Sequence, residues 1–271
     1  MTRIAVLQMT AGIDPAANER TIVDAAAEAS SGGATMLFTP EMSGLLDRDR
    51  SRAAAHIVPE ADNSVLAAAR NAAARHSLWI ALGSLAVVNE NGRWANRSLL
   101  VDDRGGVTAR YDKMHMFDVD LASGESWRES NAYEPGGEVV SAATPVGTLG
   151  LTVCYDLRFP ALFEALGQRL CDVIAVPAAF TVPTGKAHWH LLQRARAVEA
   201  SAYVVAAAQV GEHADGRRTY GHSLVVDPWG EVLLDMGGAE AGLGFAEIDP
   251  ARIAEVRAQL PSLANRRPIV N

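Results

Sequence analysis

Three side chains that can act as an acid, a base or a nucleophile each follow a short apolar segment. Glu41 comes after "TMLF" at 35–38, Lys113 after "VTARYD" at 107–112, and Cys154 after "LGLTV" at 149–153. We interpret each apolar segment as a β-strand. The carboxyl ends of parallel strands meet at one rim of a sheet, where ligands bind in α/β proteins. The sequence therefore predicts that a carboxylate, an ammonium and a thiol converge on one site.

Such a group of side chains is suited to acyl transfer. A thiol is a weak nucleophile until it loses its proton, and free cysteine titrates near about 8.5. Glu41 would accept that proton as a general base. Lys113 would lower the pKa of the Cys154 thiol and stabilise an oxyanion, with the backbone N–H of Tyr155 as a second donor. The product would be a thioester acyl-enzyme that water then hydrolyses.

Each of these residues also has an inert interpretation. A lone cysteine is more often a small buried apolar side chain than a nucleophile. A lone glutamate or lysine after a strand is usually solvated. Cys171 lies between a predicted helix end and a predicted strand start, without a charged cluster arranged around it. We therefore expect Cys171 to be structural.

Hydrophobic periodicity and turn residues indicate the elements that would position the three reactive residues. Asp14-Pro15 resembles an N-cap followed by proline at the first helical position, and Gly32-Gly33 would end that helix. Further helices are predicted at 63–75, 160–170, 187–201 and 250–260. Strands are predicted at 35–38, 78–88, 97–102, 107–113, 138–145, 149–153, 172–180, 202–210 and 242–249, with a hairpin at 222–235.

The pattern of elements favours an α/β fold built from two sheets. About a dozen predicted strands are too many for one simple doubly wound sheet, and most are apolar on both faces. Two sheets stacked face to face, with helices outside each sheet, would bury both faces. Residues 114–137 lack a clear period, and a loop of that length is usually functional or mobile. The chain has no tandem repeat or linker, so we expect one domain over residues 1–271.

Charge and composition exclude several classes of partner. The formal net charge is −8 and no run of five or six like charges occurs, which argues against nucleic acid. No stretch approaches the roughly 20 apolar residues that span a bilayer, so no membrane is expected. The opening "MTRIAVLQMTAGIDP" is typical of a first strand rather than a signal peptide. With two cysteines and no sign of export, we expect a cytoplasmic protein.

The histidines do not indicate a metal site. His188 and His190 flank Trp189, but residues two apart on a helix face different directions. No third or fourth ligand stands nearby at metal spacing, and His115, His213 and His222 are scattered along the chain. We expect no metal. A papain-like pairing of cysteine and histidine lacks the local signatures of that class.

Three segments carry a resemblance to a known family. "FTPEMSG" at 38–44, "RYDKMHMFDVD" at 110–120 and "GLTVCYDLRFP" at 150–160 resemble, in order, the signature segments of the nitrilase or carbon–nitrogen hydrolase superfamily. The resemblance implies a four-layer αββα sandwich and a reaction without a cofactor. It also implies Glu41 as general base, Lys113 as oxyanion stabiliser and Cys154 as nucleophile. Glu129 matches a second glutamate that the family often uses, and a solvated loop acid is the alternative interpretation.

Within that superfamily the chain resembles the Nit branch, which hydrolyses small ω-amides. "CYDLRFP", "HWHLLQRARAVE" and "YGHSLVVDPWG" carry this likeness. It implies release of ammonia and an acid, with deaminated glutathione favoured over α-ketoglutaramate as the substrate. Arg158 would bind a substrate carboxylate, or form a salt bridge with Asp156 or Glu164. Tyr155 would join it in the substrate site, and the resemblance places Phe180 and Thr184 there too.

Two residues depart from the pattern of the Nit branch, and the sequence is compatible with more than one reaction. Lys186 and His190 replace a proline and a glutamate that are usual in the branch, beside the expected pocket. Hydrolysis of a nitrile or an N-carbamoyl amine is an alternative reaction, and a non-catalytic binding relative is an alternative class. The resemblance implies a homodimer or higher homo-oligomer, with "RFPALFEAL" at 158–166 and the tail 261–271 as candidate interface segments.

Overall fold

The computed structural model describes residues 1–122, 124 and 126–267, which form an α/β structure. Its helices are α1 (Pro15–Ser31), α2 (Arg50–Ala53), α3 (Ser64–His76), α4 (Pro160–Gln168), α5 (Val182–Ala200) and α6 (Pro250–Gln259). Its strands are β1 (Thr2–Gln8), β2 (Met36–Phe38), β3 (Trp79–Val88), β4 (Trp94–Val101), β5 (Val107–Asp112), β6 (Asp118–Asp120), β7 (Ser126–Arg128), β8 (Val140–Thr144), β9 (Gly147–Leu151), β10 (Val173–Ala175), β11 (Tyr203–Ala206), β12 (Val210–Glu212), β13 (Arg218–Tyr220), β14 (Leu224–Val226), β15 (Val232–Asp235) and β16 (Gly242–Ile248).

Twelve of these strands form two mixed sheets of six strands each. The first sheet has the order β16-β1-β2-β3-β4-β5, and the second has the order β15-β14-β11-β10-β9-β8. The central strands β1, β2 and β3 are parallel, and so are β9, β10 and β11. The parallel strands of each sheet therefore end at a common rim, which is the condition that the three reactive residues require.

The two sheets pack face to face, and helices cover their outer faces. Ile4 and Val6 of β1 pack with β9, β10 and β11 in the core between the sheets. Ala5 and Leu7, which alternate with them, pack on the other face with residues of α1 and α3. Helices α4 and α5 pack together against the second sheet. The predicted fold, an α/β sandwich of two stacked sheets between outer helices, is confirmed.

Helices α1, α3 and α4 begin where the sequence signals place them. Asp14 caps α1 by accepting a hydrogen bond from the backbone N–H of Ala16, and Asn63 caps α3 by accepting one from Leu66. Pro160 occupies the first turn of α4, where its missing N–H has no consequence. None of the helices in the described residues is long and apolar enough to cross a membrane.

Several elements differ from the sequence prediction. The strands predicted at 172–180 and 202–210 are shorter, since β10 ends at Ala175 and β11 at Ala206, and the pair β12–β13 was not predicted. Helix α5 begins at Val182 rather than at residue 187, because Pro183 lies in its first turn and does not break it. The segment 114–137, predicted as irregular, contains the antiparallel pair β6–β7 and a 3-10 helix at Glu129–Asn131. The four-residue helix α2 was not predicted, since a single turn leaves too short a pattern to recognise.

Gly83 of β3 supports the loop that carries Glu41. Its backbone N–H donates to the hydroxyl of Thr39, and a Cβ at this position would lie 2.0 Å from the Thr39 carbonyl oxygen and 2.5 Å from that of Pro40. We expect Gly83→Ala to lower the free energy of unfolding in urea by about 3 kcal/mol, the upper part of the range for overpacking. We also expect a loss of activity, because the displaced backbone leads directly into Glu41.

Gly137→Ala is the matched control for this substitution. A Cβ at Gly137 would meet no atom within 4 Å and its φ is not positive, so this variant should be as stable and active as the parent chain. Equal stability of the two variants would contradict the proposed close approach of β3 and the Glu41 loop.

Candidate active site

Residues that follow β2, β5 and β9 line one cavity of about 720 Å³. Glu41, Lys113 and Cys154 all border it, and their exposed fractions are 5%, 2% and 7%. Glu129, from the 3-10 helix after β7, borders the same space. The structure thus places together the carboxylate, ammonium and thiol of the three strand ends. The first sheet supplies Glu41 and Lys113, and the second supplies Cys154.

The Glu41 carboxylate is held from several directions. Its Oε1 accepts hydrogen bonds from Lys113 Nζ at 2.9 Å and from Asn96 Nδ2 at 3.0 Å. Its Oε2 accepts one from the backbone N–H of Ala179 at 3.0 Å. The backbone carbonyl of Glu41 accepts a further bond from Gln209 Nε2 at 2.9 Å. These contacts come from both sheets, so the carboxylate has little freedom to turn away from the cavity.

The Lys113 ammonium lies between two carboxylates. In addition to Glu41, it donates to Glu129 Oε1 at 3.1 Å and Oε2 at 2.8 Å. Glu129 is fixed in turn by the backbone N–H of Phe117 at 2.7 Å and by Asn96 Nδ2 at 3.1 Å. The solvated-acid interpretation of Glu129 is therefore wrong, because its side chain is only 12% exposed and is paired with Lys113.

The pKa values of these groups define their resting protonation. Burial would raise the pKa of Glu41, but the charge of Lys113 and the hydrogen bonds from Cys154, Lys113 and Asn96 lower it overall. Burial would lower the pKa of Lys113, but the charges of Glu129 and Glu41 raise it well above its ordinary value. Burial and the nearby Glu41 charge raise the pKa of the Cys154 thiol, outweighing Lys113. At neutral pH the site holds a carboxylate, an ammonium and a neutral thiol.

This result corrects one expectation from the sequence. Lys113 does favour the thiolate of Cys154, but the net pKa of the thiol is raised rather than lowered. The cause is burial beside a second negative charge, which the sequence could not reveal. A thiolate can therefore form only if the proton moves to a neighbouring base, and Glu41, whose charge acts on the thiol, borders the same cavity.

The backbone turn after β9 aims Cys154 into the cavity. Cys154 has a φ of +49°, in the left-handed region that residues with a side chain adopt at a cost of roughly 1–3 kcal/mol. Its N–H donates to the carbonyl of Pro177 at 2.8 Å, while the N–H of Tyr155 has no acceptor in the described part of the chain. The unpaired N–H of Tyr155 is thus available to a ligand oxygen near the thiol.

Asp156 holds the turn of Cys154 in place through hydrogen bonds to its carboxylate. Its fully buried carboxylate accepts hydrogen bonds from the Tyr111 hydroxyl at 2.6 Å and the Val153 N–H at 2.8 Å. Its other oxygen accepts from the His115 N–H at 3.1 Å and lies 2.7 Å from His115 Nδ1. Asp156 therefore links the turn of Cys154 to the segments on either side of Lys113.

We expect Asp156→Asn to destabilise the protein and to lower kcat more than KM rises. Both oxygens of Asp156 face hydrogen-bond donors, so the amide NH₂ of an asparagine would meet a donor instead of an acceptor. A buried polar group left without a partner lowers the free energy of unfolding by about 1–3 kcal/mol. Urea unfolding and steady-state kinetics would measure the two effects.

Tyr111→Phe is the matched control, because it removes a single donor and leaves the Asp156 carboxylate with its other partners. Its smaller loss, about 1 kcal/mol, is the usual value for one hydrogen bond. Equal effects of the two variants would show that Asp156 does not organise the turn.

The residues predicted to bind substrate border the same cavity. They are Tyr155, Arg158, Phe180 and Thr184. The Arg158 guanidinium lies 5.9 Å from the ring centre of Tyr155 and 5.4 Å from that of Phe180. The alternative that Arg158 pairs with Asp156 or Glu164 is wrong in the described residues. Asp156 is occupied elsewhere, and Glu164 lies 3.7 Å from Arg266.

The two departures from the family pattern lie away from this cavity. Lys186 is exposed on α5, and neither it nor His190 is among the lining residues, so the expectation that both adjoin the pocket is wrong. His190 and His222 both contact Asp235, at 3.0 and 2.9 Å. The histidines are therefore less scattered than the sequence suggested, since His190 of α5 and His222, which precedes β14, meet at the carboxylate of Asp235 in β15.

Two residues of the site were not recognised from the sequence. Asn96 lies within β4 and donates to both glutamates, and Asp156 supports the turn that carries Cys154. A polar residue in a strand of otherwise apolar side chains was the available signal for Asn96. For Asp156 the signal was its place in "CYDLRFP", but its partners are remote in sequence.

Comparison with known proteins assigns the class. The model of the carbon–nitrogen hydrolase family matches residues 3–258. The chain belongs to this family, and it is a hydrolase that acts on carbon–nitrogen bonds.

Individual relatives agree with this assignment. The deaminated glutathione amidase of Yersinia enterocolitica is 40% identical over 267 residues, covering 97% of this chain and 92% of the relative. The crystal structure of Saccharomyces cerevisiae Nit3, a member of branch 10 of the nitrilase superfamily, superposes with a TM-score of 0.86 at 26% identity, covering 96% and 94% of the two chains. A variant of the amidase from Nesterenkonia sp. AN1, with acrylamide added to its active-site cysteine, has a TM-score of 0.79 at 28% identity, covering 96% and 98%.

Proposed function

We propose that the chain is a thiol amidase that hydrolyses small ω-amides through a thioester on Cys154, with deaminated glutathione as its preferred substrate. The observation that carries this proposal is the convergence of Glu41, Lys113 and Cys154 on one cavity, where Glu41 accepts a hydrogen bond from Lys113. The other cysteine, Cys171, is completely buried and does not line this cavity.

Acylation follows from the resting protonation of the site. As the Cys154 sulfur attacks the amide carbon, its proton moves to Glu41, so no free thiolate has to persist beside that carboxylate. The developing oxyanion accepts hydrogen bonds from the Tyr155 N–H and from Lys113. Lys113 can free an N–H for this purpose by exchanging its two-pronged contact with Glu129 for a single one. Glu41 then gives the proton to the departing amine.

Deacylation reverses the same transfers with water as the nucleophile. Glu41, now a carboxylate again, takes a proton from water as the water attacks the thioester. The tetrahedral intermediate collapses, the sulfur leaves, and Glu41 returns the proton to it. Glu129 acts as a positioning residue in this scheme, because it holds Lys113 in place. Among the described residues it makes no hydrogen bond to Cys154.

The cavity charge supports an anionic substrate. Its described lining contains seven cationic side chains against three carboxylates, although the whole chain has a net charge of −8. Deaminated glutathione and α-ketoglutaramate are both anions at neutral pH. The name of the Yersinia relative favours the first as the substrate of this chain.

A substrate panel tests the proposal. Both ω-amides yield the same acid, 2-oxoglutarate, but their nitrogen products differ. α-Ketoglutaramate gives ammonia, whereas deaminated glutathione gives cysteinylglycine, so the expected release of ammonia is wrong for deaminated glutathione. Measuring 2-oxoglutarate therefore compares them in one assay, and we expect a higher kcat/KM for deaminated glutathione. A nitrile and an N-carbamoyl amine complete the panel, and the latter would also release carbon dioxide. If the chain hydrolyses only the nitrile or the N-carbamoyl amine and neither ω-amide, the proposed amidase reaction is rejected.

A non-catalytic binding relative is the alternative from another class. Intact-mass measurement during turnover distinguishes it, since a thiol amidase shows an acyl adduct on Cys154. A binding protein would retain both the unmodified mass and the unmodified ligand. The complete set of Glu41, Lys113 and Cys154 favours the enzyme.

We also propose a cytoplasmic homodimer. Its support is the exposed apolar face of α5, where Leu191 is 67% exposed and Val198 is 40% exposed, beside Trp229 at 46%. Cys154 and Cys171 are both buried and unpaired, which suits a reducing compartment. The predicted interface segment 158–166 leads into α4, which packs against α5, whereas residues 268–271 of the tail lie outside the described residues. Sedimentation at working concentration would detect a monomer and reject the dimer.

A further inference from the structure

The cavity has two cationic ends, joined by a row of aromatic rings. At one end the Arg158 guanidinium lies over Tyr155. The ring centres of Tyr155 and Phe117 are 5.1 Å apart, and those of Phe117 and Trp127 are 6.3 Å apart. At the far end the Arg217 guanidinium lies 5.0 Å from the Trp127 ring centre. Tyr155, Phe117 and Trp127 therefore lie one after another between Arg158 and Arg217.

The far end has the character of an anion site. Arg48 also lies over Trp127, at 6.0 Å, and has no carboxylate partner in the described residues. Arg217 donates its Nε to the buried carboxylate of Asp215 at 2.8 Å, which fixes the guanidinium plane without using its terminal nitrogens. The remaining carboxylate of this wall, Asp47, is paired with Arg52. The three arginines at this end, Arg48, Arg52 and Arg217, thus outnumber the two carboxylates, Asp47 and Asp215, by one positive charge.

Trp127 supplies an independent indication of a ligand. Its Nε1–H is buried and has no hydrogen-bond partner in the described residues, although the side chain lines the cavity. A buried N–H without an acceptor costs about 1–3 kcal/mol, so such groups normally have one. A ligand oxygen held between Trp127 and the two arginines would supply it.

We propose that Arg217, Arg48 and Trp127 form a second carboxylate site, which binds the terminal carboxylate of the leaving amine. This inference rests on the proposed function. Arg158 would bind the carboxylate of the acyl part, so the preferred substrate class is an ω-amide with a carboxylate on each side of the bond that breaks. Deaminated glutathione has this form, and its three residues extend over about 10 Å. α-Ketoglutaramate has a carboxylate on the acyl side only.

Two pairs of substrates and variants test the second site. The first comparison is the kcat/KM for deaminated glutathione against that for its C-terminal amide, which lacks only the terminal charge. A charge-assisted hydrogen bond predicts that the parent chain favours the free acid by about tenfold or more. Arg217→Gln should reduce this preference to near one, and Arg48→Gln should reduce it in part. Trp127→Phe keeps the ring but removes the N–H, and should also weaken it.

The second comparison separates this inference from a structural effect. With α-ketoglutaramate, which cannot reach the second site, Arg217→Gln and Arg48→Gln should have the kcat/KM of the parent chain. Arg104→Gln, an exposed arginine outside the cavity, should change neither substrate. An equal loss on both substrates would mean that Arg217 only supports the fold. An unchanged preference for the free acid in both arginine variants would overturn the second site.

The failure of the two proposals would look different. If the parent chain produces 2-oxoglutarate from neither substrate, the proposed function fails and this inference fails with it. If it hydrolyses deaminated glutathione but does not distinguish the free acid from the amide, the proposed function stands. The second carboxylate site alone is then rejected.

Discussion

Cys154→Ala is expected to abolish hydrolysis of every ω-amide that the parent chain accepts. The proposed reaction passes through a covalent bond to sulfur, and removing a nucleophile of this kind typically lowers kcat by a factor on the order of 10⁵–10⁶. The fold should survive, because Cys154 lies in a turn at the cavity and makes its backbone hydrogen bond to Pro177 through its N–H, which alanine keeps. Formation of 2-oxoglutarate and the thermal midpoint are the two measurements.

Cys171→Ala is the matched control for this prediction. Cys171 is completely buried in the core between the second sheet and α4, and it does not line the cavity. Its variant should lose stability but retain turnover. Iodoacetamide should correspondingly add one group to the native chain at Cys154 and none at Cys171. Undiminished turnover by Cys154→Ala would exclude the thioester route altogether.

Lys113→Met should have the second-largest effect, on both activity and stability. Methionine keeps most of the side-chain volume but leaves Glu41 and Glu129 together without the intervening ammonium. Breaking a buried ion pair by removing one partner costs about 3–5 kcal/mol. Losing a preorganised donor to the oxyanion lowers kcat by a factor on the order of 10²–10³. Urea unfolding at several pH values and steady-state kinetics measure these effects.

The pH dependence of this stability loss has a definite sign. In the parent chain the pKa of Glu41 lies below its ordinary value of 4.5, so its contribution to stability is present above that value and is lost as the pH falls below it. Without Lys113, burial raises the pKa of Glu41 above its unfolded value, and the carboxylate then destabilises the fold at neutral pH. The difference between the two proteins should therefore be largest near pH 7 and shrink towards pH 4.5.

Lys113→Arg serves as the control for charge. Arginine restores a cation but cannot match the position of the ammonium between Glu41 and Glu129. It should recover part of the stability at pH 7 and little of the activity. A stability loss in Lys113→Met that is the same at pH 5 and pH 7 would contradict the description of the site as an ion-pair cluster.

Sequence reasoning succeeded where a local pattern has one physical consequence. Apolar segments that end in a charged or thiol-bearing residue located the ends of β2, β5 and β9. The number of predicted strands, most of them apolar on both faces, indicated two stacked sheets. Asp14 and Pro15 gave the start of α1 because capping depends only on neighbouring residues. These features are determined within a few positions of the chain.

Features that depend on remote partners could not be predicted in this way. Asn96 joins Glu41 and Glu129 only after β4 takes its place beside β3 and β5. The pKa of Cys154 depends on its burial and on its distance from Glu41, which no spacing in the sequence encodes. Arg48 and Arg217 meet at Trp127 from segments far apart in the chain, so their shared position is visible only in the folded structure.

The division of the site between the two sheets has a consequence for how mutations act. Glu41 and Cys154, the proposed base and nucleophile, follow strands of opposite sheets, so the thickness of the core between the sheets sets their separation. Trimming a side chain within that layer, such as Phe38 or Leu151, would let the halves settle closer together and misalign proton transfer while the chain stays folded. Trimming Ile22 or Leu66, beneath the outer helices, would weaken folding but leave that spacing intact. The rate of hydrolysis therefore reports on the spacing between the two sheets, whereas the free energy of unfolding does not.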